Sequence, residues 1–181
     1  MSYTGRLLVA TPLIGDPNFE RAVVFLLAHG NDGAFGVVIN RPSDTGVESV
    51  APGWGDHVAG PGVVFVGGPV AGDAVVGIGR PADGLIDGFT DLSGGLGTVD
   101  LHHPPTHGAR PWIGLRLYAG SAGWGAGQLE EEIAEGAWWP VDSLPDDILT
   151  GDPTRLWERV LRRQVSPVSW FANCPHDPSS N

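Results

Sequence analysis

The sequence predicts an α+β fold in which a mostly antiparallel, partly barrel-like sheet is flanked by a few helices. Glycine and proline, 28 and 16 of the 181 residues, divide the chain into short elements joined by many turns. Short apolar runs fill the first two thirds of the chain, whereas the two clear helical patterns follow residue 125. Strands and helices do not alternate regularly, and strands followed by helices are typical of an α+β fold.

Apolar runs bounded by turn residues define the first part of the sheet. Residues 5–11 form a first strand, and the nearly continuous apolar run at residues 21–29 indicates a buried strand. The Asn-Asp-Gly sequence at residues 31–33 supplies the positive φ angles of a tight turn, and a third strand covers residues 34–40. This succession predicts a β-hairpin, which Pro42 ends.

The middle of the chain contains shorter strand candidates. A strand at residues 63–66 is predicted to pair with residues 74–78, after a loop at residues 47–61 that has room for one helical turn. Weaker patterns predict strands at residues 85–89 and 98–101.

The last third of the chain supplies both predicted helices. An alternating strand at residues 113–118 leads into a glycine-dense turn, and an amphipathic acidic helix then ends at Gly136. A strand follows at residues 138–141. Asp152 is expected to cap a final helix over residues 153–164.

Length and composition limit the class of protein. We expect one domain over residues 1–171 and a loose tail over residues 172–181. The formal net charge is −11 without any lysine, so neither direct nucleic-acid binding nor binding to an anionic membrane is expected. The single cysteine, Cys174, suits a reducing compartment, and neither a leader peptide nor a membrane-spanning apolar run is recognisable. These features predict a cytoplasmic protein, and no cofactor or metal is expected.

The glycine-dense segment at residues 119–127 has one structural and two chemical interpretations. Backbone N–H groups of residues 123–127, together with the dipole of the following helix, would form an anion cradle, with Asp142 as a ribose-binding acid. The glycine spacing departs from that of dinucleotide sites, and Glu130 and its acidic neighbours repel an anion. We therefore favour a structural joint over a phosphate site.

The same segment is also similar to a nucleophile elbow centred on Ser121, because a serine between glycines separates a strand from a helix. A hydrolase would then need an acid, such as Asp146 or Asp152, and a later histidine. Only His176 follows, and it lies in the predicted tail. A hydrolase that uses Ser121 or an arginine-lined pocket is kept as an alternative.

Polar residues beside the buried strands are candidates either for a pocket or for turn capping. Arg21 and Arg41 would bind a carboxylate or a phosphate if both faced one pocket. We favour turn capping and an ion pair from Asp16, because aspartate and asparagine have turn roles. The three histidines within residues 102–107 lie in a proline-rich loop, so a surface loop is favoured over a metal site.

Several ordered motifs extend along the chain. They are Gly-Arg-Leu-Leu-Val-Ala-Thr-Pro at residues 5–12, Asp-Pro-x-Phe at 16–19, Val-Ile-Asn-Arg-Pro at 38–42, Gly-Gly-Pro-Val at 67–70 and Gly-Trp-Gly-Ala-Gly-Gln-Leu-Glu at 123–130. With these motifs, the chain resembles the AlgH/YqgE family of small bacterial proteins over nearly its whole length. The resemblance implies a compact α+β fold whose sheet closes partly into a barrel. It implies no particular activity, although some members are labelled transcriptional regulators.

The resemblance also identifies candidate ligand- or partner-binding residues at the positions that match its motifs: Asn40, Arg41, Trp124, Gln128 and Glu130. Trp124, placed among glycines, is a candidate for an exposed anchor to a partner. Ser121 stands where the family usually has tyrosine, so a serine nucleophile is not a family trait.

We expect a non-enzymatic cytosolic protein that binds a protein or a small ligand in a regulatory role. The alternatives are the hydrolase and a transcriptional regulator, for which the net charge disfavours direct DNA binding.

Overall fold

The computed structural model describes residues 2–84 and 86–175. The strands in this part of the chain are β1 (Leu7–Ala10), β2 (Val23–Gly30), β3 (Gly33–Val38), β4 (Pro42–Gly46), β5 (Val63–Val66), β6 (Val70–Pro81), β7 (Phe89–Ser93), β8 (Leu96–Val99), β9 (Trp112–Trp124) and β10 (Trp138–Val141). The α-helices are α1 (Val47–Val50), α2 (Gln128–Ala134), α3 (Pro145–Ile148) and α4 (Leu156–Arg162), with 3₁₀-helices at Gly55–His57, Pro153–Arg155 and Val168–Asn173. Within these residues, no helix has the length and apolarity needed to cross a membrane.

The sheet is organised around β9, its longest strand. The strand order is β10-β1-β2-β3-β9-β6-β8-β7, and β5 joins β4 to β9 as a side branch. The pairs are antiparallel except β5 and β9, which run parallel. The sheet curls into a half-barrel, so the predicted α+β fold with a mostly antiparallel, partly barrel-like sheet is confirmed.

Strand β1 is buried on both faces, which explains why its sequence is continuously apolar. Successive side chains of a strand point to opposite faces. Leu7 and Val9 lie in a core shared with Trp157 of α4, whereas Leu8 lies in a second core shared with Leu129 of α2. The two helices therefore cover opposite faces of this part of the sheet.

The glycine-dense segment is a place where two backbones cross. A Cβ atom on Gly67 would lie 2.3 Å from the carbonyl oxygen of Gly120, and one on Gly68 would lie 2.2 Å from that of Ser121. Gly68 and Gly120 also have φ angles of +147° and +77°. Glycine is required here because no side chain fits between the connection from β5 to β6 and strand β9.

Most predicted elements are present, but their connections differ from the predictions. The hairpin of β2 and β3 is confirmed, as are the strands at residues 63–66 and 138–141. The predicted partner of residues 63–66 is wrong, because β5 pairs with β4 and β9 rather than with β6. The turn predicted from residue 119 is also wrong, since these residues continue β9 and the chain turns only at residues 125–127.

The C-terminal part also differs from the prediction. The side chain of Asp152 makes no capping hydrogen bond, and the last predicted helix begins as a 3₁₀-helix before α4. Residues 172–173, placed in the loose tail by the sequence, belong to a 3₁₀-helix, and Ala172 is packed into the α4 core. The rest of the predicted tail from His176, and Leu85 at the start of a predicted strand, lie outside the described residues.

Arg116 of β9 is a buried cation that holds two segments, the end of α3 and the loop at Gly60, against the sheet. Its guanidinium donates hydrogen bonds to the carbonyls of Ile148 and Thr150, both at 2.8 Å, and to that of Gly60 at 2.6 Å. The same group lies over the ring of Phe65, 4.4 Å from its centroid. Burial lowers the pKa of Arg116. Among the described residues its hydrogen-bond acceptors are backbone carbonyls, and no carboxylate forms an ion pair with it.

Candidate functional site

Asn40 bridges an irregular point in the sheet. Its Oδ1 accepts a hydrogen bond from the N–H of Val23 at 3.0 Å, and its Nδ2 donates to the carbonyl of Arg21 at 2.9 Å. Arg21 has a φ angle of +53°, which residues other than glycine adopt infrequently. The side-chain amide therefore supplies the hydrogen bonds that a regular strand partner would make, and both of its ends serve the fold.

Arg41 holds the loop at residues 16–20 against the sheet. Its guanidinium donates to the carbonyls of Asn18 at 2.5 Å and Glu20 at 2.8 Å. Burial lowers the pKa of Arg41, and the carboxylates of Glu20 and Asp16 oppose that shift. Asp16 also accepts a hydrogen bond from the N–H of Asn18 at 2.9 Å, so the predicted turn-capping role is observed in this loop.

Arg21 binds a different segment from Arg41. Its guanidinium lies over the ring of Trp157, 4.6 Å from the centroid, and donates a hydrogen bond to the carbonyl of Cys174. A guanidinium nitrogen also lies 4.0 Å from the carboxylate of Glu158. The predicted pocket, in which both arginines would bind one anion, is therefore not formed. The two guanidinium groups contact separate parts of the chain instead.

Trp124 and Gln128 are joined by Glu132, a residue that the sequence analysis did not select. One carboxylate oxygen of Glu132 accepts hydrogen bonds from the indole N–H groups of Trp124 at 2.9 Å and Trp138 at 2.8 Å. The other accepts from the amide of Gln128 at 2.9 Å. The i, i+4 spacing of Gln128 and Glu132 on a helix beside two tryptophans was a signal for this contact.

This joint overturns one prediction about Trp124. The side chain is only 7% exposed and packs edge-on against Trp138 with ring centroids 5.8 Å apart. The prediction that Trp124 is an exposed anchor to a partner is therefore wrong. The indole instead links β9, α2 and β10 through one carboxylate.

Glu130 lies on the exposed side of α2 and pairs with His29 of β2. The distance from its Oε1 to His29 Nε2 is 2.9 Å. Nδ1 of the same imidazole accepts the N–H of Tyr3 at 3.1 Å, which assigns the proton of the neutral ring to Nε2. A hydrogen bond from its own backbone N–H lowers the pKa of Glu130, and His29 adds to the effect.

The five predicted residues form two adjacent groups rather than one concave site. Asn40 and Arg41 form the first group, and the second surrounds the start of α2. Phe19, in the loop that Arg41 holds, packs against Trp124 with ring centroids 6.4 Å apart. In the structure, the polar atoms of the five predicted residues make hydrogen bonds that stabilise the fold. A binding role for these residues stays a prediction.

The chemistry considered for the glycine-dense segment does not have the required geometry. Ser121 is 6% exposed and lies within strand β9, whereas the serine of a nucleophile elbow lies on a turn between a strand and a helix. The prediction of a nucleophile elbow is therefore wrong. At the proposed anion cradle, the N–H of Gly125 already donates to the side chain of Gln128 at 3.0 Å. The first turn of α2 is acidic, so this helix end repels an anion.

The histidines of the proline-rich loop have separate environments. His102 pairs with Asp100, with 2.6 Å between Nδ1 and Oδ1. The pKa of Asp100 is lowered mainly by a hydrogen bond from the backbone N–H of His102 and, to a smaller extent, by the hydrogen bond with its imidazole ring. Within the described residues, no group of three or more metal-ligating side chains is present. His107, by contrast, lines a cleft that the sequence analysis missed.

This mixed-charge cleft lies between two segments that are remote in sequence, residues 48–57 and residues 104–110. Its volume is about 630 Å³, and five of the residues that line it have ionisable side chains: Glu48, Asp56, His57, His107 and Arg110. The prolines and glycines of both segments indicated loops. No pattern in the sequence indicated that these loops meet.

A second concave surface, the valine groove, lies where β5 and β6 flank β9. Its volume is about 370 Å³, and its apolar lining includes Val50, Val66, Val75 and Ala119. Val66 is 45% exposed and Val50 is 40% exposed. Asp73 contributes a carboxylate to the same groove.

The fold and these sites define a class of small α+β proteins built on a curled antiparallel half-barrel, in which polar side chains brace the helices against the sheet. The family model described as AlgH-like (DUF179) matches residues 7–169. The chain belongs to this family, and the resemblance found in the sequence is confirmed.

Relatives and solved structures agree with this assignment. A UPF0301 protein of Streptomyces avermitilis is 49% identical over 99% of this chain and 96% of its own length. A UPF0301 protein of Mycobacterium tuberculosis is 41% identical over 98% of this chain and 90% of its own.

Two solved structures share the fold. The crystal structure of a Corynebacterium diphtheriae protein has a TM-score of 0.88 at 34% identity, covering 93% of this chain and 91% of that one. The solution structure of AlgH from Pseudomonas aeruginosa has a TM-score of 0.67 at 27% identity, covering 98% and 97%.

Proposed function

We propose that this protein is a non-enzymatic regulatory protein that binds a partner polypeptide in the valine groove. The observation that carries the proposal is the exposure of Val66 and Val50 on one concave apolar surface. Apolar side chains gathered on an exposed concave surface are typical of interaction sites.

The shape of the groove follows from strand register. Val66 of β5 and Val75 of β6 are both register partners of Ala119, one on each side of β9. Because the alanine side chain is short, a channel remains between the two valines. Burying an aliphatic side chain fully contributes about 1.5–3 kcal/mol, so this channel favours a partner that presents such a side chain.

The negative charge of this protein favours basic residues next to that aliphatic side chain of the partner. The protein has a net charge of −11 without any lysine, and Asp73 lines the groove. A partner segment with arginine or lysine next to its aliphatic residue is attracted, whereas a second copy of this chain is repelled. The proposed occupant is therefore a basic segment of another protein.

The proposal places the protein in the cytoplasm, because a chain with one cysteine suits a reducing compartment. We do not propose direct DNA binding, since counterion release from DNA depends on basic side chains, and the ten arginines of this chain are outnumbered by 21 acidic residues.

Selection from a library of random peptides displayed on phage tests the proposal. We expect enrichment of peptides with an aliphatic residue flanked by arginine or lysine on the wild-type protein, and loss of their binding on Val66→Glu. Val165→Glu is the matched control, because Val165 is 85% exposed and lies outside the groove. Thermal unfolding of both variants checks the fold.

Two outcomes contradict the proposal. Enriched peptides that bind Val66→Glu as well as the wild type would place the binding surface elsewhere. Self-association of the wild type that Val66→Glu abolishes would identify a second copy of the chain as the occupant.

A further inference from the structure

The mixed-charge cleft is independent of the valine groove and is a second candidate binding site. Small-molecule sites are typically clefts of about 300–1,000 Å³ with a few convergent polar groups. This cleft has about 630 Å³, and its ionisable side chains come from two loops that face each other. The proposed partner binding does not use this space, because the two concave surfaces share no lining residue.

The cleft wall at residues 48–57 is anchored to the fold by Trp54, whose neighbours Gly53 and Gly55 line the cleft. Trp54 is 2% exposed, and its indole N–H donates to the carbonyl of Leu101 at 3.0 Å. The ring of His57 packs edge-on against Trp54, with centroids 6.2 Å apart. Glu48 accepts the N–H groups of Gly53 at 2.9 Å and Gly55 at 3.1 Å, so its carboxylate fixes the first loop. A cleft with a fixed wall loses little conformational entropy when a ligand binds.

The two walls carry opposite charges. The wall at residues 48–57 contributes the carboxylate of Asp56, which makes no hydrogen bond with another described side chain or backbone group. The wall at residues 104–110 contributes His107 and Arg110. Within the described residues, the guanidinium of Arg110 makes a single weak hydrogen bond, at 3.5 Å, to the backbone carbonyl of Asp56. Both a cationic and an anionic group therefore retain capacity for a ligand.

This arrangement discriminates between classes of ligand. The carboxylates of Glu48 and Asp56 repel a simple anion, and Arg110 repels a simple cation. A zwitterion satisfies both walls at once, through charge-assisted hydrogen bonds at each end. A metal ion does not fit, because no group of three or more metal-ligating side chains occurs among the described residues.

We propose that the mixed-charge cleft binds a small zwitterion that carries both an ammonium and a carboxylate group, as free amino acids and short peptides do. Arg110 and His107 receive the carboxylate, and Asp56 receives the ammonium. Glu48 acts as a positioning residue, because its oxygens already hold the backbone of its own loop at Gly53 and Gly55.

Titration of the ¹⁵N-labelled protein with alanine, dialanine and trialanine tests this proposal and distinguishes an amino acid from a peptide. Amide shifts are expected in residues 53–57 and 106–110, since Pro104 and Pro105 have no amide N–H. N-acetyl-dialanine lacks the ammonium and dialanine amide lacks the carboxylate. Each should bind at least about tenfold more weakly than dialanine, the factor that about 1.4 kcal/mol gives.

Variants assign each charge to its partner. Arg110→Gln should weaken binding of dialanine but not of dialanine amide, and Asp56→Asn should weaken binding of dialanine but not of N-acetyl-dialanine. Arg159→Gln and Asp146→Asn are matched controls on exposed helical positions, and they should bind as the wild type does. Unchanged thermal unfolding confirms that each variant is folded.

The result that would overturn the proposal is a capped peptide that binds as tightly as dialanine, or no amide shifts with any zwitterion at tens of millimolar. Dialanine that binds both Arg110→Gln and Asp56→Asn as tightly as the wild type would also overturn it. Because the valine groove shares none of these charges, failure here leaves the phage-display test of the groove unaffected.

Discussion

Replacing Glu132 with alanine should destabilise the protein by about 2–6 kcal/mol. The carboxylate is the shared acceptor for Trp124, Trp138 and Gln128. The two tryptophans are 7% and 2% exposed, so water has little access to their indole N–H groups. A buried donor left without an acceptor costs about 1–3 kcal/mol, and the variant leaves two of them. The amide of Gln128 is exposed and can donate its hydrogen bond to water instead, so it adds little to the loss of stability.

Urea unfolding followed by circular dichroism measures this change. Glu131→Ala is the matched control, because it removes the same charge from the same helix at an exposed position, and it should cost no more than about 0.5 kcal/mol. Glu132→Gln should fall between the two, since its amide oxygen remains able to accept both indole N–H groups without the negative charge.

A free energy of unfolding for Glu132→Ala within about 0.5 kcal/mol of that for Glu131→Ala would contradict this prediction. That result would mean that the two indoles find other partners when the carboxylate is removed. The joint would then be a contact without energetic weight.

Further predictions concern the fold's other polar and glycine positions. Arg116→Met should cost at least about 3 kcal/mol in urea unfolding, because three carbonyls lose a charged donor, whereas Arg159→Met should be nearly neutral. Gly68→Ala should prevent soluble expression because its Cβ would lie 2.2 Å from a carbonyl oxygen, whereas Gly72→Ala, with open space, should express normally. The pKa of Glu130 is held below its ordinary value of 4.5. The ionised Glu130 therefore stabilises the folded protein above pH 4.5, and this stabilisation is lost as the pH falls through the lowered pKa. Glu130→Gln should flatten the dependence of the free energy of unfolding on pH below pH 4.5.

The strands could be predicted from the sequence where neighbouring residues decide the structure. The hairpin of β2 and β3 depends on an Asn-Asp-Gly turn between two apolar runs, so a local pattern was sufficient. The pairing of β5 with β9 was not predictable in the same way. It depends on the close approach of Gly67 to Gly120, and a run of glycines shows only that something comes near.

The two concave surfaces were missed for a related reason. Asp56 and Arg110 lie on loops that meet only after folding, and neither belongs to a recognisable motif. Val66 has the apolar character of an ordinary strand residue, and its exposure depends on the short side chain of Ala119 beside it. Sequence patterns predict which side chains are buried on average, but not which apolar side chain is left exposed beside a small neighbour.

The motif residues that identify the family in this chain are mainly those that the fold needs. Asn40 completes the hydrogen bonds beside a residue with positive φ, and Trp124 and Gln128 are held by one carboxylate. Such residues specify a backbone path, and a path can carry different sites in different proteins. Selecting site residues by motif therefore selects bracing residues here. Binding is better sought in side chains such as Val66 and Asp56, which lie outside the motifs and whose contacts within the fold leave them available.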